Sequence, residues 1–373
     1  MQFSFNELLH AYLTCKQNKT NKPNHIIFEN NLEENLYNLY EELNNRTYQI
    51  DKSIYFILTK PKYREVWAAS FKDRIVHHLI YNRLSPHYFK TFIYDSCACI
   101  PNKGTLFASN RVNHFIKSCS NNYQKETYYL KADIKNFFNS IDKDILWNLI
   151  SNHPITIEQS KQFGNDNYFL ELIHQVIFHN PTNNYQFNGN PNLINNVPHH
   201  KQLFNVPLNK GLPIGNLTSQ FFANIYLDGL DKYIKHQLKM RYYARYVDDI
   251  ILIHNNPQYL LKQYEYIKEY LETNNDMFFH KNKTSLNNVE QGVDFVGRIM
   301  FPHRILIRNR TIGSFKKKIN DINIVSPSLI SSYNSYLGMM IKSNSYNIRK
   351  DIITTKLLPL GLKTTSNYNK III

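Results

Sequence analysis

Two adjacent carboxylates set inside an apolar run constrain this chain more than any other feature. The run is Tyr242-Tyr243-Ala244-Arg245-Tyr246-Val247-Asp248-Asp249-Ile250-Ile251-Leu252-Ile253. Its flanks are β-prone and Asp is favoured at turn positions, so the pattern predicts strand, tight turn, strand. Such a turn puts both acidic side chains at a hairpin tip, where a cation must offset their mutual repulsion. Magnesium is the natural counter-ion, because it binds one or two carboxylates and fills its shell with substrate phosphate. Taken alone, the stretch fits a solvated Asp-Asp turn in an antiparallel sheet equally well. Partners elsewhere in the chain must separate the two.

The charge balance points to a polyanionic partner. Lys and Arg number 44 against 29 Asp and Glu, a net charge of +15 over 373 residues. A field of that sign attracts nucleic acid, although the Lys, Asn, Ile and Tyr usage of an AT-rich genome inflates the same number. The length suits two or three domains with a sizeable core. Cys15, Cys97, Cys99 and Cys119 form no CxxC pair, so free thiols in a reducing cytoplasm are expected. The segment Met1–Glu7 has no charged stretch followed by an apolar one, and no run of about 18 apolar residues occurs; neither export nor a membrane span is expected.

In chain order, residues 1–50 read as two helices, with Leu8, Leu9, Tyr12 and Leu13 on one face and Leu32, Leu36, Leu39, Tyr40 and Leu43 on the next; Lys16–Pro23 connects them. A strand over Ser53–Leu58 and a return strand at Glu65–Trp67 enclose a tip with Lys60, Lys62 and Arg64. That tip is suited to phosphate, or is an ordinary solvated turn. Phe71–Leu84 reads as a helix with Ile75, His78, Leu79 and Asn82 in period, and Thr105–Lys117 as another. A strand over Tyr128–Ile134 delivers Asp133, followed by the adjacent rings Phe137 and Phe138; a helix starts at Asp144. Residues 151–206 read as irregular apart from a helix over Tyr168–Phe178, and their length argues for an insertion with its own role. Gly211-Leu212-Pro213-Ile214-Gly215-Asn216-Leu217-Thr218-Ser219-Gln220 places a glycine loop before a helix capped by Asn216 or Thr218, a weak anion signal. A surface helix over Gln258–Leu271 follows, and three short helices are expected around Phe315–Ile322, Ser328–Ile341 and Tyr346–Leu358.

Together, Asp133, the loop 211–220 and the Asp248-Asp249 hairpin resemble, in order and spacing, the palm of a reverse transcriptase. Tyr246-Val247-Asp248-Asp249 matches the family's YxDD hairpin and Asp133–Phe138 its first carboxylate motif; Lys62–Val66, Asp73–Val76, Lys283-Thr284 and Phe295–Gly297 resemble flanking motifs. The resemblance covers roughly residues 50–310. It implies an α+β right-hand polymerase fold: N-terminal helices and fingers over 1–128, a palm over 129–305 with an insertion at about 151–210, and a helical thumb over 306–373. It implies two magnesium ions held by Asp133, Asp248 and the Ile134 carbonyl, with Asp249 a secondary ligand. Lys60, Lys62 and Arg64 would hold the triphosphate, with Phe137, Ile214, Gly215 and Gln220 around the nucleotide, and Lys283 would protonate pyrophosphate. Phe138 fits the steric gate against a ribose 2′-hydroxyl, so deoxynucleotides are the expected substrates. Arg74 and the run Lys316-Lys317-Lys318 would track the nucleic-acid backbone, unless the latter is only a solvated helix face.

The loop 211–220 narrows the resemblance. Group II intron enzymes carry Gln-Gly and then Ser-Pro here, whereas this chain has Ile214-Gly215 and Ser219-Gln220. The string, with Arg64–Ala69 and Ser335–Met340, is similar to diversity-generating retroelement enzymes, which copy a template RNA into cDNA with errors opposite adenine and work with a small basic accessory protein. Ile214 cannot hydrogen-bond to align a base pair as Gln can, so low fidelity is expected. Two alternatives stay open: an antiphage-defence enzyme working with its own noncoding RNA, and an inactive nucleic-acid-binding module. The implied partners are an RNA template, a DNA primer or cDNA, and dNTPs, with no membrane.

Overall fold

The structure is a computed structural model that describes residues 3–17, 22–161, 167–320 and 326–372. From the N-terminus run α1 (Phe5–Lys16), α2 (Pro23–Glu29), α3 (Leu32–Asn44), β1 (Ser53–Leu58), β2 (Arg64–Ala68), α4 (Phe71–Tyr88) and α5 (Thr105–Cys119). Then come β3 (Tyr128–Asp133), α6 (Phe137–Ser140), α7 (Lys143–Ser151), α8 (Pro154–Lys161), α9 (Tyr168–Phe178), β4 (Tyr185–Phe187) and α10 (Leu217–Lys232). The hairpin strands β5 (Tyr243–Tyr246) and β6 (Asp249–His254) precede α11 (Pro257–Asn275) and β7 (Ser285–Asn288). The remainder comprises β8 (Val293–Phe295), β9 (Arg298–Phe301), β10 (Arg304–Ile307), α12 (Asn309–Asn320), α13 (Pro327–Ile341) and α14 (Tyr346–Ile352).

The chain divides into two compact units, each discontinuous in sequence. The first holds residues 1–94, 133–239 and 265–282. Its α1 opens with a capping box: the Glu7 amide donates to Ser4 Oγ at 3.2 Å, and the Glu7 carboxylate accepts from the Ser4 amide at 3.0 Å. Three helices, not two, occupy the first fifty residues, because Pro23 stands in the first turn of a separate short helix. The buried face of α1 is Leu8, Ala11, Tyr12 and Cys15, leaving Leu13 43% exposed; that is the 3.6-residue stripe, which Leu9 and Leu13 miss. Residues 18–21 of the expected connector lie outside the described residues.

In the same unit, β2, β1 and β4 form one sheet, antiparallel from Ile54↔Ala68 to Leu58↔Arg64 and parallel at Ser53↔Tyr185. The described residues of the stretch 151–206 therefore carry more regular structure than its composition suggests, with α8, β4 and three short 3-10 turns besides α9. A three-residue strand that pairs with a partner more than a hundred residues away leaves no periodic signal. In α4 the buried positions include Ile75, Val76, His77, Leu79, Ile80 and Leu84, while His78 and Asn82, read in the same period as Ile75 and Leu79, are half-buried and reach Thr14 Oγ1 at 3.1 Å each. Helix α7 starts at Lys143, just before the expected Asp144, because the Asp142 carboxylate caps it by accepting from the amides of Asp144 and Ile145.

The second unit holds residues 95–132, 240–264 and 283–373. Its main sheet has the order β5-β6-β3-β7, and β6 is buried along Ile250–Ile253, each at 0% exposure. Val112, Phe115 and Ile116 of α5 pack with Tyr129, Ala244, Ile251 and Ile253 against Val293, Phe295 and Met300 of the second sheet, β10-β9-β8. Gly292 turns into β8 with φ of 91°, and a Cβ there would stand 2.6 Å from the Phe301 ring. The last helices close a separate cluster around Phe315, Tyr333, Leu337, Met340 and Ile353. Here α12 begins at Asn309, well before Phe315, and the expected end at Ile322 lies outside the described residues. The third expected helix is split, α14 giving way to a π-turn over Ile353–Leu357. Among the described residues, no helix is long and apolar enough to cross a membrane.

Candidate active site

The Asp-Asp stretch folds as a two-residue hairpin. Strands β5 and β6 pair antiparallel from Tyr243↔Leu252 down to Tyr246↔Asp249, so only Val247 and Asp248 are left to reverse the chain. Two-residue hairpins demand a positive φ in the turn, usually met by Gly or Asn. Val247 takes it instead, at φ 58°, a costly conformation for a β-branched residue.

Arg245 holds that turn, and it was absent from the candidates read off the sequence. Its side chain is 1% exposed. The guanidinium donates to the Val247 carbonyl at 3.0 Å and to Ser96 Oγ at 3.2 Å. Its backbone amide donates to the Asp95 carbonyl at 3.1 Å, and its carbonyl accepts from the Cys97 amide at 2.9 Å. The loop 95–97 thus lies along the free edge of β5, and Asp95 is in turn bound by Arg111 Nε at 2.7 Å. A lone cation inside a Tyr-Tyr-Ala-Arg-Tyr strand was the available signal, since a buried charge survives only with dedicated partners.

Asp248 and Asp249 are half-buried. On the neighbouring strand β3, Lys131 puts its ammonium 3.6 Å from the Asp249 carboxylate and 3.2 Å from the Asp294 carbonyl. Asp133 is the last residue of β3, two positions beyond Lys131 and so on the same face of the strand. Sheet order and alternation therefore present Asp133 on the strand next to the one that Asp249 begins. The donors suit a divalent ion: they are hard carboxylate oxygens, and Lys131 marks a place where positive charge is already favoured. Among the described residues no three His, Cys, Asp or Glu side chains form a group that could hold a metal ion, so Asp133, Asp248 and Asp249 are not brought together as one.

The remaining candidates fall into place unevenly. Lys60, Lys62 and Arg64 are exposed around the β1–β2 turn. Ile214 is 37% exposed, and its carbonyl accepts from the Trp67 amide at 2.8 Å. Gly215, at φ 132°, lies so close to β2 that a Cβ would meet Val66 Cγ1 at 2.8 Å and the Trp67 carbonyl at 3.2 Å. Asn216 occupies the helix-cap position without capping: its side chain accepts from the Ala69 amide at 2.9 Å, which docks the loop on β2. Gln220 is exposed.

Phe137 is buried and Phe138 half-buried, their rings 5.3 Å apart. The turn before them uses Asn136 at φ 49°, and the Phe138 carbonyl accepts from the Leu212 amide at 2.9 Å. Ile134 is buried and bridges to Phe279, while the Asp133 carbonyl accepts from the His280 amide at 2.8 Å. Arg74 spends its Nε on the Ala69 carbonyl at 2.9 Å and lines a cavity of about 740 Å³ with Phe56, Val66, His77 and Gly215. Burial pushes His77, in that wall, down to about 3. Lys283 is exposed at the end of a single 3-10 turn ahead of β7, and Lys316, Lys317 and Lys318 are exposed on α12, where Lys318 reaches Ser332.

The family model described as "Reverse transcriptase (RNA-dependent DNA polymerase)" matches residues 52–300. Among curated proteins, the chain is 22% identical to the COX1/OXI3 intron 2 protein of Saccharomyces cerevisiae, across 78% of this chain and 37% of that one. Among solved structures it is similar to apo telomerase of Candida tropicalis truncated from the C-terminal domain, with TM-score 0.47 and 15% identity over 70% of this chain and 55% of that one. It is also similar to telomerase of Candida albicans in complex with a TWJ fragment of telomeric RNA, with TM-score 0.45 and 12% identity over 82% and 56%. The chain thus spans little more than a third of the intron protein and just over half of each telomerase chain.

Proposed function

The chain belongs to the reverse transcriptase (RNA-dependent DNA polymerase) family, and from that membership we propose that it copies a cognate RNA template into cDNA by metal-assisted phosphoryl transfer. Its mixed helix-and-sheet fold is of the right-hand polymerase class. The observation that carries the reading is the two-residue hairpin that holds Asp248 and Asp249 beside the strand ending in Asp133, all inside the matched region.

Phosphoryl transfer needs in-line positioning and neutralisation of developing charge more than covalent help. Asp133 and Asp248, with the Ile134 carbonyl, would hold two magnesium ions, with Asp249 the secondary ligand. When bound, the ions supply activation of the primer 3′-hydroxyl and charge compensation for the leaving pyrophosphate. The chain's own groups do the rest. Lys60, Lys62 and Arg64 grip the triphosphate, and Lys283 protonates the leaving group. Phe138 excludes a 2′-hydroxyl, Ile214 and Gly215 flank the nucleotide, and Lys316–Lys318 follow the duplex backbone. In this reading residues 1–128 are N-terminal helices and fingers, 129–305 the palm with an insertion at about 151–210, and 306–373 a helical thumb.

Within the family, we assign the chain to the error-prone, diversity-generating kind with a small basic partner. Ile214 in the loop 211–220 supports that subtype, since its side chain offers no hydrogen bond to reward a correct pair. Magnesium-dependent dNTP incorporation on an RNA template tests the activity, with Asp248→Ala as the inactive control. Incorporation that survives Asp248→Ala, or none from the intact chain with its copurifying RNA, refutes it.

A further inference from the structure

We propose that the insertion over residues 180–211 builds a phosphate-binding pocket on Lys143. The pocket has a volume of about 190 Å³ and is lined by Lys143 and Lys210, by Asn180, Thr182 and Asn183, and otherwise by apolar side chains and the Gly211 backbone. No Asp or Glu lines it. Lys143 is 3% exposed, and among the described residues its ammonium has neither a hydrogen-bond nor an ion-pair partner. Its backbone amide, by contrast, is satisfied by the Asn209 carbonyl at 2.8 Å.

A buried ammonium without a counter-charge is costly, and proteins keep one only where something offsets it. Burial alone holds this ammonium below the ordinary lysine range, with no opposing carboxylate. Its positive charge, after burial, also helps to depress His179. Of the carboxylates nearest in chain and space, Asp142 caps α7 by accepting from the amides of Asp144 and Ile145, and Asp276 is held by Lys210; neither they nor Asp144 line the pocket. The walls are prearranged: Asn180 Oδ1 accepts from the Thr182 amide at 3.1 Å and from its hydroxyl at 2.9 Å, which fixes the loop 180–183. A small electropositive cavity with a buried lysine, and with the Asn183 side-chain amide in its wall, fits a compact, multiply charged oxyanion. Phosphate is that anion, either free or as one phosphate of a bound RNA. The RNA source rests on the proposed polymerase function; the phosphate site does not.

The test uses the full chain and inorganic phosphate, titrated against chloride at constant ionic strength and followed by thermal unfolding. At phosphate 100-fold above its Kd, Tm should rise by about 3 °C, saturably. Lys143→Met should lose that saturable rise and, with the unpaired charge gone, melt higher than the parent in phosphate-free buffer. Lys143→Arg should keep the response. If Lys143→Met does not fold, Lys210→Met provides the second variant and should raise the half-saturating phosphate concentration several-fold. A parent response no larger than that to chloride, or an equal response in Lys143→Met or in Lys210→Met, overturns the proposal. A single-stranded RNA oligonucleotide then identifies the source. RNA that abolishes the phosphate response, with a salt slope of binding smaller by about one in Lys143→Met, assigns the site to an RNA phosphate. RNA and phosphate responses that coexist assign it to free phosphate. Polymerase activity, assayed separately, does not enter either readout.

Discussion

Replacing Arg245 with Met asks whether the hairpin turn must be held from behind. The guanidinium is buried and bonds the Val247 carbonyl at 3.0 Å and Ser96 Oγ at 3.2 Å. A hydrogen bond to a charged group is worth about 1.5–3 kcal/mol. Val247 at φ 58° stores strain of about 1–3 kcal/mol. The two quantities are of one size, so losing the Val247 bond frees the turn to relax and carries Asp248 with it. At about 1.4 kcal/mol per decade, kcat should fall by about 10- to 100-fold. The dNTP KM should stay within about two-fold, because the cations proposed to grip the triphosphate lie around the β1–β2 turn.

Single-turnover primer extension separates the two parameters, and thermal unfolding reports global damage. Arg245→Lys keeps the charge without the planar fork and should fall between parent and Met. Val247→Gly in the Met background removes the strain that needed holding, because glycine adopts positive φ freely. It should recover about 10-fold of the lost kcat. A Met variant within two-fold of the parent refutes the reasoning. So does a double variant that recovers nothing while both variants melt normally.

Three further outcomes follow from other parts of the molecule. Ile214→Gln should lower the error rate opposite template adenine in sequenced cDNA, and an unchanged spectrum removes Ile214 from the fidelity argument. His77 stays neutral in the fold down to about pH 3 but takes up a proton near pH 6.5 once unfolded. Unfolding therefore binds a proton across that window, and stability falls as pH drops through it by at most about 1.4 kcal/mol per unit. Denaturant melts at pH 7 and 5 should show about 2 kcal/mol of this loss, and His77→Gln should remove most of it; equal losses in both proteins contradict the assignment. Replacing Lys316, Lys317 and Lys318 together with Ala should reduce the salt slope of template–primer binding by about 2–3, read by anisotropy between 50 and 200 mM salt.

Much of the fold and of the site is written locally. The Asp-Asp hairpin, the β1–β2 turn, α9 and the strand that delivers Asp133 all follow from alternation, turn chemistry and caps within about a dozen residues. For the same reason, the places of Asp133 and Asp249 at strand ends, of Asp248 in the hairpin turn and of the loop before α10 were legible locally, while the roles proposed for them came from the family resemblance. What the sequence could not determine depends on partners distant along the chain. Arg245 became a support for the turn only when loop 95–97 lay along β5. Asn216 turned from helix cap to loop anchor because the Ala69 amide was there to be satisfied. Lys143 became a buried cation only when residues 180–211 folded over it. Local pattern selects an element because its hydrogen bonds and its apolar stripe are short-range. The tertiary structure decides what each buried polar group touches, because that depends on which segments desolvate it.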